Sequence, residues 1–327
     1  MNVLLNTGNI FIHHDGALGD ALLSLPCINV IRKSVSHIHI AGRRDVVQFL
    51  KEAGIADEVS SADSRLYSSL YTESLDAAMK SFLSGFGLSS VFTTNTQSRL
   101  VKNVRSVISN TRAILTIPPE ASSEHAAAFR LEQFGFGADA DHRNIRIPIP
   151  DNDKLWAAEF LREQGYTAAG QTLITVHPGS GGKKKCWSPE NYSALIRHLV
   201  TDPRIFCIIF TGPAEEATSV FRHLLCSKRV ISLHKESLMR VAALLSLSAF
   251  YVGNDSGISH LAGIMGCRGA VLFGPTDPFL WRPQGNALDV VSFIGSGREA
   301  LPEIVSLYER HDIQSQWSKK TSGDAGE

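Results

Sequence analysis

The run Thr172-Leu173-Ile174-Thr175-Val176-His177-Pro178-Gly179-Ser180-Gly181-Gly182 decides the architecture. Its first five residues are apolar or β-branched without alternation, the mark of a strand buried on both faces. A glycine-rich turn follows at once. Ser188-Pro189-Glu190 then reads as a helix start, with Ser188 the cap and Pro189 in the first position, for a helix over 191–200. A second continuous apolar run, Ile205 to Phe210, comes next. Buried strand, loop, helix, buried strand is the repeating unit of a parallel sheet covered on both faces.

Working outward, the rhythm continues to the C-terminal side. It predicts helix 219–225, strand 230–231, helix 238–247, strand 250–252, helix 258–265 and strand 270–273. To the N-terminal side stands a helix over 155–164. Beyond it the first half repeats the pattern: strands at 9–13, 37–40, 58–59 and 91–94, a helix over 46–53, and a helix carrying Leu22, Leu23, Leu25, Ile28 and Ile31. A polar stretch from Gly135 to Asp153, with Pro148 and Pro150, interrupts the series and reads as an interdomain connection. The expected fold class is α/β: two Rossmann-like domains, 1–150 and 151–297, with parallel sheets facing a cleft. The segment 298–327 is expected to supply a helix that packs back on the first domain and a disordered tail from Ser315.

Composition narrows the classes. In 327 residues, Lys+Arg and Asp+Glu are both 32, and this neutral balance argues against a general nucleic-acid binder. The five cysteines are scattered and odd in number, with no C-x-x-C pair, which argues against a disulfide framework or zinc site. The N-terminus does not read as a signal peptide, and no stretch reaches the roughly 18 apolar residues of a membrane span. A cytoplasmic protein is expected, with peripheral membrane association left open.

Four segments fall where doubly wound sheets bind ligands, beyond the C-terminal ends of strands. In Gly16-Ala17-Leu18-Gly19-Asp20, the glycines permit a tight turn. On spacing alone, Asp20 reads first as a helix N-cap and second as a functional carboxylate. His177 to Gly182, followed by Lys183-Lys184-Lys185, offers backbone N–H groups and positive charge to phosphate, or else is a solvated basic loop. Thr211-Gly212-Pro213-Ala214-Glu215-Glu216 offers a carboxylate to ribose hydroxyls, or acids that complement a helix dipole. Gly253-Asn254-Asp255-Ser256-Gly257-Ile258-Ser259-His260 leads into a helix whose free N–H groups favour a pyrophosphate. His260 alone reads as a buried hydrogen-bonded histidine. The pairs Asp139/Asp141 and Asp151/Asp153 match D-x-D but lie in the connector, so no metal is expected.

Order and spacing add to these signals. G-A-L-G-D-A-L-L-S-L-P, H-P-G-S-G-G with K-x-W-S-P-E, G-P-A-E, and G-N-D-S-G-I-S-H-L-A-G with F-G-P-T-D-P together resemble the ADP-heptose:lipopolysaccharide heptosyltransferases, glycosyltransferase family 9. The resemblance runs from Ile10 to about Pro283 and thins between Tyr67 and Asp153. It implies a GT-B architecture and inverting, metal- and cofactor-free transfer from a nucleotide sugar, ADP-heptose foremost, to an anionic lipopolysaccharide core acceptor. It further implies Asp20 as base and Lys185 balancing leaving-group charge. Glu215 would hold the ribose and Asp255 the donor sugar. Gly19, Ser180, Gly181, Ser256, Gly257 and His260 would line the donor. A transferase for another nucleotide sugar, and a catalytically silent sugar-nucleotide binder, are the competing readings. Finally, Arg99, Lys102 and Arg105 recur every three residues, so on a helix they form either an acceptor-binding face or a solvated one.

Overall fold

The computed structural model describes residues 8–120, 122–135, 145–212, 221 and 224–323, with side chains described as far as residue 311. The chain divides into two units, Met1–Pro150 with Ser237–Met239, and Asp151–Glu236 with Arg240–Glu327. Each unit is a parallel sheet with flanking helices.

Unit 1 holds β1 (Asn9–His14), β2 (His37–Gly42), β3 (Glu58–Ser61), β4 (Leu88–Thr93) and β5 (Thr111–Leu115), in the order β3-β2-β1-β4-β5. All neighbours are parallel; Ile10 and Ile12 of β1 pair with Ile38 and Ile40 of β2. Below the sheet, Phe11, Tyr67, Met79, Leu83, Val101 and Val104 form one apolar cluster.

Unit 2 holds β6 (Thr172–His177), β7 (Ile205–Thr211), β8 (Val230–His234), β9 (Phe250–Asn254), β10 (Gly269–Phe273) and β11 (Leu288–Ser292), in the order β11-β10-β9-β6-β7-β8. Every residue of β7, β9 and β10 is buried, as their unbroken apolar runs require. The strands the reading overlooked are both edges. β5 (TRAIL) and β11 (LDVVS) each have one fully buried residue, so neither shows a continuous apolar run nor a clean alternation.

Three other expectations are revised. The single helix expected over Leu22–Ile31 is two, Leu18–Leu23 and Leu25–Arg32, broken at Ser24. Pro26 lacks an N–H and suits only a first turn, so it begins a helix rather than sitting inside one. The connector ends earlier than expected. Asp151 and Asp153 occupy the first turn of helix Asp151–Glu163, where negative charge complements the helix dipole. The C-terminal helix, Ala300–Gly323, packs within unit 2 against β10, β11 and helix Pro189–Leu199. Ala300, Ile304 and Leu307 join that unit's core. Its backbone stays helical past Ser315, where a disordered tail was expected. The expected helix over 219–225 lies largely outside the described residues. Among the described residues, no helix is long and apolar enough to cross a membrane.

Candidate active site

In each sheet the strand order reverses once, between β1 and β4 and between β6 and β9. Loops leaving adjacent strands diverge there and open a crevice at the carboxyl ends. Most of the predicted site residues that the structure describes lie at these two places.

In unit 1 a cavity of about 350 Å³ lies beyond β1 and β4, with His14, Asp20, Tyr71, Asn95, Ser98 and Arg99 in its wall. Gly16 turns the chain there. A Cβ at Gly16 would lie 2.8 Å from both the Asp20 Cβ and the His14 ring, so the turn has room only for glycine. Asp20 is not the N-cap. Ala17 holds that position without a side-chain bond, and Asp20 falls in the first helical turn, next to Gly19. Its carboxylate Oδ1 instead accepts a bond of 3.2 Å from Arg130 Nη2.

Arg130 escaped the sequence reading. It comes from helix Ala126–Glu132 and shares the buried face with Ala126, Ala127 and Leu131. A cation on the apolar face of a helix was the available signal. The Arg130 side chain is 0% exposed and that of Asp20 41%. Ser24, at the helix break, donates to the Asp20 carbonyl (3.0 Å) and lies 3.0 Å from His14 Nε2. With the hydroxyl proton so committed, the Nε2–H of a neutral His14 is the donor to Ser24. Burial first, and the Arg130 charge second, lower His14 to about 3. The neighbouring His13 is lowered as well, again by burial, and its Nε2 is 2.9 Å from the Tyr71 hydroxyl.

Of the three basic residues expected on one face, Arg99 reaches the cavity wall. It also makes an exposed pair with Glu73 at 3.7 Å. Lys102 and Arg105 stand further along helix Arg99–Val107 and do not line the cavity; Arg105 Nη2 donates to the Thr111 carbonyl at 3.4 Å.

In unit 2 the glycine loop is tied to the end of β9. Asn254, fully buried, donates to the Pro178 carbonyl (2.7 Å) and accepts from the Trp187 N–H (2.9 Å). Ser180 Oγ donates to the Asp255 carbonyl (2.5 Å). Trp187 is buried against Tyr192, with its indole N–H on the Gly297 carbonyl (2.6 Å). This fixes the short helical turn Lys183–Lys185 just before it. Lys185 Nζ donates to Asp255 Oδ2 at 2.8 Å, and Thr276 Oγ1 donates to the same oxygen at 2.7 Å. Here the exposures invert, with the Lys185 side chain at 37% and that of Asp255 at 6%. Ser256 caps helix Gly257–Ile264 through the Ser259 N–H, and Gly257 opens that helix. His260 is buried one turn on. A Cβ at Gly181 or Gly182 would meet nothing, so the chain's own packing does not call for glycine there.

Glu215, Asp139 and Asp141 lie outside the described residues. Among the described residues, no three His, Cys, Asp or Glu side chains converge as metal ligands. Asn254 and Thr276 fell within motifs already noted, yet their part in fixing the loop and Asp255 went unread.

Comparison with known proteins bears on the family and the fold. The sequence profile of Glycosyltransferase family 9 (heptosyltransferase) matches residues 131–306. Lipopolysaccharide heptosyltransferase 3 of Escherichia coli is 26% identical over 130 residues, 38% of each chain. Lipopolysaccharide heptosyltransferase 1 of Escherichia coli strain K12 is 29% identical over 160 residues, 49% of this chain and 48% of that one. The match thus spans less than half the length of these curated relatives. The structure of Escherichia coli ADP-heptose lipopolysaccharide heptosyltransferase II superposes with a TM-score of 0.73 at 15% identity, covering 94% of this chain and 99% of that one. At that identity it bears on the fold alone.

Proposed function

The chain belongs to glycosyltransferase family 9, and from that premise we propose that it is an inverting glycosyltransferase. In this reading it moves a heptose from ADP-heptose to an anionic lipopolysaccharide core acceptor. The supporting observation is the opposite presentation of two ion pairs. At the end of β1 a buried cation presents a carboxylate, and at the end of β9 a buried carboxylate presents an ammonium. The first suits proton removal, the second a phosphate leaving group.

Asp20 takes the proton of the acceptor hydroxyl. The oxygen attacks the anomeric carbon, the bond from that carbon to the diphosphate breaks on the opposite face, and the configuration inverts. Departing nucleoside diphosphate gains negative charge, which Lys185 balances. The backbone N–H groups at Ser180–Gly181 and Ser256–Gly257 give it hydrogen bonds. Glu215 holds the ribose, and Asp255 and His260 bound the donor sugar. Arg99 meets the acceptor's negative charge. The acceptor's lipid would place the protein at the cytoplasmic face of a membrane as a peripheral partner.

The deciding experiment is turnover with a panel of nucleotide sugars and lipopolysaccharide truncated before its heptoses, reading nucleoside diphosphate release. ADP-heptose should exceed every hexose donor. A preference for a UDP- or GDP-hexose would change the donor. Binding of ADP without turnover of any donor would mean a sugar-nucleotide-binding protein that does no transfer.

A further inference from the structure

We propose that Arg130 is the positioning residue for the base, holding one oxygen of Asp20 so that the other is presented to the acceptor hydroxyl. This rests on the reading of Asp20 as base. A guanidinium has five N–H donors in a rigid fork, and here all five are used. Nε and one Nη2 proton go to the Thr116 carbonyl at 3.1 and 2.7 Å. Nη1 serves the Asp20 carbonyl at 2.6 Å and Ser24 Oγ at 2.8 Å. The remaining Nη2 proton meets Asp20 Oδ1 at 3.2 Å.

Four of these five bonds go to uncharged oxygens, so the Asp20 carboxylate is the only ionised group among the acceptors. A fully buried guanidinium has no water to screen it, and its charge must be answered within the protein. Asp20 is therefore both a carboxylate of the cavity wall, which Asp15 also lines, and the counter-ion of a buried cation. The same fork fixes Asp20 at its backbone, since Nη1 and Ser24 both donate to its carbonyl. The residue is thus held at its backbone carbonyl and at Oδ1, and Oδ2, which accepts no bond from any described residue, is the oxygen left for a substrate proton. His14 completes the arrangement without adding charge, because burial keeps it neutral.

The test is a double-mutant cycle on Asp20 and Arg130, read in activity and in thermal melting. Arg130→Met should lower kcat on the order of 100-fold with donor KM unchanged. Arg130→Lys should recover part of that loss. Adding Arg130→Met to Asp20→Asn should cost nothing further, since a residue acting only through another has no effect once that one is gone. In melting, Asp20→Asn alone should lower Tm by about 5 °C or more by stranding the buried charge, and the double variant should regain part of it. Multiplicative activity losses, or kcat within about threefold of wild type in Arg130→Met, would overturn the proposal. So would additive Tm losses, which need no activity to read. If wild type turns over no donor while the melting cycle still couples, the functional reading fails and the ion pair stands. Should Arg130→Met not fold, the Lys variant carries the cycle.

Discussion

The ends of β1 and β9 solve one problem in opposite senses. On the proposed reading each presents a charge to a substrate, and each charge sits beside a buried partner of opposite sign. In unit 1 the partner is Arg130, 110 residues along the chain from Asp20. In unit 2 the partner, Asp255, lies beside loops whose glycines, serine and asparagine announce a ligand site in the sequence itself. The difference teaches that the partner of a presented charge can lie inside a sequence motif, as Asp255 does, or outside every motif, as Arg130 does.

Four measurements break or sharpen this contrast. Asp20→Asn should cut kcat by roughly 100-fold or more, the usual cost of losing a general base, and leave the calorimetric affinity for ADP within about twofold. Equal losses in both would erase the division between the two ends.

His14 gives the next largest effect. Its value is held down to about 3 against an ordinary 6.5. Between those values the unfolded chain binds the proton and the folded chain does not, so stability falls as pH drops from 6.5 towards 3. The slope is up to about 1.4 kcal/mol per pH unit. Melting curves from pH 7 to 4.5 should show the slope, and His14→Gln, uncharged throughout, should reduce it, the part that remains belonging to His13 and His39, which burial also lowers. An unreduced slope would move its origin to another group.

Lys185→Ala should weaken ADP binding about tenfold to a hundredfold, the range of a charged hydrogen bond worth about 1.5–3 kcal/mol. It should also make binding less dependent on salt. Unchanged affinity would leave Lys185 as a partner of Asp255 only. The smallest effect is expected on the basic helix. Arg99→Ala should raise acceptor KM several-fold in low salt. Lys102→Ala and Arg105→Ala should stay within about twofold, since surface substitutions away from a site cost within about 0.5 kcal/mol. Equal effects at all three would restore the face expected from spacing.

How much of this the sequence carries depends on range. Strands β7, β9 and β10 are legible because a strand buried on both faces has no polar positions to blur it. Edge strands β5 and β11 are not, because four of the five residues in each are at least partly exposed to solvent. The glycine loop and Ser256–Gly257 are legible because backbone conformation and helix capping are local. The Lys185–Asp255 pair is not, although both residues were singled out, because nothing in spacing says that two candidate ligand groups meet each other. Arg130 is hidden for the same reason: only the packing of helix Ala126–Glu132 in the folded unit brings 130 to 20. The capping alternative for Asp20 fails on a local point. Ala17 already adopts the extended cap geometry, which leaves Asp20 inside the helix.

Trp187 has an optical consequence. Its indole is buried, its N–H is bonded to a carbonyl, and its own backbone N–H rests on Asn254, next to Asp255. Of the other tryptophans, Trp156 and Trp281 are half-buried. Emission from Trp187 therefore lies to the blue of theirs, and any shift of the Lys183–Lys185 turn alters the polarity around an indole two residues away. The protein carries its own fluorophore at the loop assigned to the diphosphate, so stopped-flow mixing with unlabelled ADP gives the arrival and residence times of the nucleotide without an added dye.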